Sequence, residues 1–98
     1  MSYKKNSAWN DKNEVECLLI FKVLQQEGFP RGKLSRLCQE LSKITNLSAG
    51  SISAKVCNYK SIAGVNAPSN ASKNTMEIFE KYGSLSIQEI EKLIDRMS

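Results

Sequence analysis

The sequence predicts an all-α fold, a compact three-helix unit of helix-turn-helix or SANT-like type followed by two more helices. Three observations predict it. Apolar residues recur at three- and four-residue steps through five segments. Each segment is bounded by residues that cap or break helices. No stretch shows the apolar-polar alternation of a half-buried strand. At 98 residues, 41% hydrophobic and 24% charged, the chain has the size and composition of one globular domain.

Residues 1–8 read as a flexible basic tail. From Trp9 the pattern becomes helical. Asn10 is a good N-cap, Asp11 and Glu14 suit the first turn, and Val15, Leu18, Leu19, Val23 and Leu24 make the apolar face. Gly28 and Pro30 end this helix, which places it at about 11–27. After "GFPRG", Leu34, Leu37, Cys38, Leu41 and Ile44 form the core stripe of a second helix, with Lys33, Arg36, Gln39, Glu40 and Lys43 pointing away.

"TNLSAG" breaks the pattern, and Ser48 or Ser51 caps a third helix at about 49–60. Its stripe is Ile52, Val56 and Tyr59. Tyr59 is expected in the core with its hydroxyl at the surface. Lys55 is expected to lay its stem along the core edge with the ammonium in water. Residues 61–72 carry no charge and read as a loop, from which Ile62 and Val65 tuck into the core. Ser72 caps a fourth helix with Met76, Ile78, Phe79 and Tyr82 as its apolar positions, ending at Gly83. "SIQE" is a capping box that opens a fifth helix carrying Ile87, Ile90, Leu93, Ile94 and Met97. The domain reading is a tail at 1–8 and one helical domain at 9–98, with a tri-helical unit at 9–60, a loop at 61–72 and two helices in 73–98.

Several function classes are disfavoured. The chain has no histidine, the commonest general base and metal ligand, and no paired acidic motif, so an enzyme is not expected. Cys17, Cys38 and Cys57 form no CxxC pair and lack a fourth ligand for zinc; they read as small buried hydrophobes. No cofactor is expected. No apolar run approaches the ~18 to 20 residues of a membrane span. The lysines of "MSYKKNSAWN" precede no apolar segment, so a secretory signal is not expected and a cytoplasmic location is.

The net charge of +4 is unevenly shared. Residues 28–60 hold Arg31, Lys33, Arg36, Lys43, Lys55 and Lys60 against Glu40 alone, a local +5. Clustering of that kind suits phosphate contacts, with Ser51, Ser53 and Asn58 beside them to reach base edges. The DNA-binding candidates are therefore Arg31, Lys33, Arg36, Lys43, Ser51, Ser53, Lys55, Asn58 and Lys60. The third helix is the expected reader, the second holds phosphates, and Lys4 and Lys5 form a flexible arm. Asn58 is as well suited to bracing the following loop as to reading adenine. Trp9 reads as a core plug, and Asn70 and Ser72 as turn and cap.

Trp9 ahead of the first helix, then "SISAKVCNY", then "NASK" before "MEIFEKY" resemble in order and spacing the N-terminal helical domain of bacterial HNH-type restriction endonucleases and related standalone proteins. The resemblance spans about residues 9–83. It takes in Trp9 with Glu14; Ser51, Ile52, Lys55, Val56, Asn58 and Tyr59; Asn70, Ser72 and Lys73; and Ile78, Phe79 and Tyr82. It implies a tri-helical arrangement similar to Myb or SANT domains and a DNA-facing accessory role. The family's catalytic part, built on downstream histidines and an asparagine, has no counterpart in these 98 residues, so cleavage is not implied.

The leading expectation is a small non-catalytic DNA-binding domain, a regulator or the recognition module of a bacterial or phage defence or mobile-element system, with duplex DNA favoured over RNA. The alternative is a protein-interaction module or phage-type inhibitor that docks on a partner protein. The wide stripe of the fifth helix then serves as a partner or homodimer surface.

Overall fold

Asn10 opens the first helix: its extended backbone and its side-chain oxygen, which accepts from the Asn13 amide at 2.8 Å, satisfy an otherwise orphaned N–H. In this computed structural model, which describes residues 9–64 and 73–97, five helices follow: α1 (Asp11–Gln26), α2 (Lys33–Ile44), α3 (Ala49–Ile62), α4 (Lys73–Tyr82) and α5 (Ile87–Met97). The all-α fold is as the sequence predicts, and the described residues contain no strand. None of the described helices is long and apolar enough to cross a membrane.

Local chemistry accounts for the ends. α1 closes with Gly28 at φ +76, where the Gly28 amide donates to Gln25 O at 3.2 Å and the Phe29 amide to Leu24 O at 2.7 Å. That is the paired bonding of a Schellman cap, and it turns the Phe29 ring back against Phe21, 6.1 Å between centroids. Ser48, not Ser51, caps α3, accepting from the Ser51 amide at 3.1 Å. α3 runs to Ile62, two residues past its expected end. The capping box holds: the Ser86 amide donates to Glu89 at 3.0 Å and the Glu89 amide to the Ser86 hydroxyl at 3.1 Å, and these bonds keep the Glu89 carboxyl below its ordinary range. The Lys4 and Lys5 arm, Val65, Asn70 and Ser72 lie outside the described residues.

α1 and α3 occupy the middle, α2 and α4 flank them on either side, and α5 lies along α1. The core gathers Val15, Leu18, Phe21 and Leu24 from α1, Cys38 and Leu41 from α2, Ile52, Val56 and Tyr59 from α3, Ile78 from α4 and Ile90 from α5. Burial of such side chains contributes about 1.5–3 kcal/mol each. Phe21 is the hub of an aromatic group, touching Phe29, Tyr59 and Phe79. Two stripe residues depart from expectation, and one of them, Met76 of α4, is 52% exposed while its neighbour Thr75 is buried instead. Ile44 continues the α2 pattern but lies beyond the reach of the core and is 75% exposed.

Candidate nucleic-acid interface

Three stripes divide α3. Ile52, Val56 and Tyr59 face inward and are fully buried. Ser53 and Lys60 turn toward α2: Ser53 lies beside Leu34, Ser35 and Cys38, and Lys60 lines a hollow with Phe29, Arg31 and Leu34. Ser51, Lys55 and Asn58 turn toward α4. The polar side expected of this helix is therefore split across two flanks of the fold.

The α4 flank corrects the expectation for Lys55. Its side chain is 13% exposed, and its ammonium donates to Glu14 Oε1 at 3.0 Å and to Thr75 Oγ1 at 2.8 Å while lying 4.6 Å from the Trp9 ring centre. Thr75 donates in turn to Glu14 Oε1 at 3.4 Å. Tyr59 is buried whole, hydroxyl included, and that hydroxyl donates to the Glu14 carbonyl at 3.2 Å. A carboxylate buried to 1% of its surface needs a counter-charge and donors, and Lys55 is the cation within reach. Lys55 is thus a structural bolt between α1, α3 and α4, unavailable to a phosphate. Asn58 on the same flank is half-buried and engaged within the protein. Ser51 is exposed, its hydroxyl paired with that of Ser48 at 3.0 Å.

The α2 flank holds the remaining cations. Arg31, Arg36 and Lys43 are exposed. Arg36 and Lys43 stand two turns apart on one face, roughly 10 Å along the axis. Lys60 lies over the Phe29 ring at 4.6 Å and shares its hollow with Arg31. Lys33 is already paired with Glu27. Of the nine candidates, Arg31, Arg36, Lys43, Ser53 and Lys60 fall on or beside the α2–α3 surface, Ser51 lies at the open first turn of α3, Lys33 is neutralised locally, and Lys55 and Asn58 are drawn away.

A second feature, which sequence reasoning missed, adjoins this surface across α2. Leu37, Glu40, Leu41 and Ile44 face Glu16, Leu19 and Ile20 of α1 and Glu91, Ile94 and Asp95 of α5 around an open groove of about 570 Å³. Its floor is apolar and its four charged residues are all carboxylates. Glu16 Oε2 is buried there without a hydrogen-bond partner, and burial pushes its carboxyl up against the opposing pull of Lys12. The available signal was Glu40, the lone acid of a basic segment, together with Glu91 and Asp95 one turn apart. Only the docking of α5 on α1 brings them together.

Cys17 and Cys38 are buried and Cys57 half-buried, all free thiols, and burial pushes the first two up from the ordinary thiol range. Among the described residues no group of three or more acidic or thiol side chains is placed to hold a metal ion. Compared with protein-family models, curated proteins and solved structures, the chain matches none.

Proposed function

We propose that this chain is a non-catalytic nucleic-acid-binding module that takes duplex DNA against the surface formed by α2 and the first turn of α3. The carrying observation is a cluster of exposed cations: Arg36 and Lys43 on α2, with Arg31 just before it and Lys60 beside Arg31, although Lys73, Lys81, Lys92 and Arg96 are exposed on α4 and α5 as well. Glu40, the only acid of that segment, stands between Arg36 and Lys43 along the helix and also lines the groove toward α1 and α5. In this reading Arg31, Arg36, Lys43 and Lys60 hold phosphates. Ser53 offers a hydroxyl on this side near the N-terminal end of α3, the end that helix-turn-helix proteins present to base edges, while Ser51 lies on the other flank of that first turn. The burial of Lys55 removes it from the interface. The resemblance carried by "SISAKVCNY" and "NASK" supports a role as regulator or recognition module in a defence or mobile-element system.

Charge reversal at exposed positions tests this without disturbing the core. Arg36→Glu and Lys43→Glu are each expected to weaken duplex DNA binding about ten-fold in ~100 mM salt, with helical content unchanged by circular dichroism. Parallel titrations with single-stranded DNA and RNA identify the nucleic acid. A double variant that binds as tightly as the parent removes this surface from the interface.

A further inference from the structure

The groove between α1, α2 and α5 has a character opposite to that of the chain around it. The protein carries +4, yet the groove is lined by Glu16, Glu40, Glu91 and Asp95 and by no cation. Its floor of Leu19, Ile20, Leu37, Leu41 and Ile94 runs out to Ile44, the most exposed large hydrophobic residue described. We propose that this groove docks a cationic amphipathic helix of a partner protein, its apolar face on the floor and its Lys or Arg residues on the carboxylate rim.

Four observations select that occupant. The groove is open rather than enclosed, whereas small-molecule sites bury most of the ligand surface. Leu37 to Ile44 spans two turns, about 10 Å, enough for apolar anchors at i, i+3 or i+4, and i+7 of a docked helix. Glu16 Oε2, buried and unpartnered, lacks the N–H donor that a Lys or Arg head group supplies. The α2 helix of a second copy is a poor fit, because its exposed Arg36 and Lys43 share their face with Gln39 and Glu40 rather than with apolar residues.

The test uses the full chain and a fluorescent helical peptide of about 14 residues with Leu on one face and Lys on the other, against the same pattern built from Leu and Glu. The Leu/Lys peptide is expected to bind with micromolar Kd and the Leu/Glu peptide at least about ten-fold more weakly. Ile44→Asp, and separately Glu91→Lys with Asp95→Lys, all exposed positions, are each expected to weaken the Leu/Lys peptide about ten-fold, while Arg36→Glu does not weaken it. Amide shifts in a titration followed by nuclear magnetic resonance should concentrate at residues of the groove. Equal binding of the two peptides, affinity untouched by the groove variants, or shifts centred on Arg36 and Lys43 each overturn the proposal. Self-association of the unliganded chain through Ile44 and Ile94 overturns it as well, by assigning the groove to a second copy.

Discussion

Glu14 and Lys55 show what a single buried charge demands of its surroundings. With Glu14 buried to 1% of its surface, removal of its partner leaves a carboxylate that water cannot reach, with the neutral hydroxyls of Thr75 and Tyr59 beside it and its counter-charge gone. Lys55→Ala is expected to cost about 3–5 kcal/mol in chemical denaturation, whereas Glu14→Leu combined with Lys55→Met costs far less than the two single changes added together. A similar loss in the double variant would show that the pair contributes through packing alone. The sequence marks Lys55 as a flank position of α3, one residue before Val56, and that reading was right as far as it went. Whether the flank is wet depends on Thr75, twenty residues later in the chain, and no local pattern carries that information.

At the level of elements, caps and stripes were legible because their causes are local: Asn10, Gly28 and the Ser86–Glu89 box act within a turn or two of themselves. Ile44 was misread because periodicity says which way a residue points, not how far the core extends. The end of α4 carries a tertiary demand that sequence reading saw only as a stop. A Cβ at Gly83 would stand 2.4 Å from the Phe79 carbonyl oxygen, and the Gly83 carbonyl accepts from the Lys22 ammonium at 2.8 Å, so this turn also fastens α4 to α1. Gly83→Ala is expected to destabilise the protein by about 2 kcal/mol or more, read from the denaturation midpoint at unchanged slope. A neutral effect would mean that the turn relaxes without strain. Lys22→Met tests the tie separately, since it removes the ammonium and leaves the backbone alone.

For the whole molecule, the distribution of charge matters more than its sum. A uniformly basic surface would attract polyanions without orientation. Here Arg31, Arg36 and Lys43 are exposed on the α2 side, Lys73, Lys81, Lys92 and Arg96 on α4 and α5, and a carboxylate rim lines the groove between α2 and α5. If Arg31, Arg36, Lys43 and Lys60 each neutralise a phosphate, the logarithm of the DNA association constant falls against the logarithm of salt with a slope of about −3.6. Removal of one of them makes the slope shallower by roughly one. A slope near zero would exclude phosphate contact by this surface. The local +5 of residues 28–60 was visible from the sequence; the burial of Lys55 against Glu14 and the pairing of Lys33 with Glu27 were not.

α2 borders two surfaces: Arg36 and Lys43 stand on its outer face, Leu37, Leu41 and Ile44 line the groove, and Glu40 sits at the edge shared by both. Carboxylates so near the cations weaken their pull on a polyanion, and whatever masks those carboxylates strengthens it. By thermodynamic reciprocity, a polyanion held on the first side must tighten the second side's hold on a positively charged visitor by the same factor. If both proposed sites are filled, a twelve-residue helix is in this way enough to couple them.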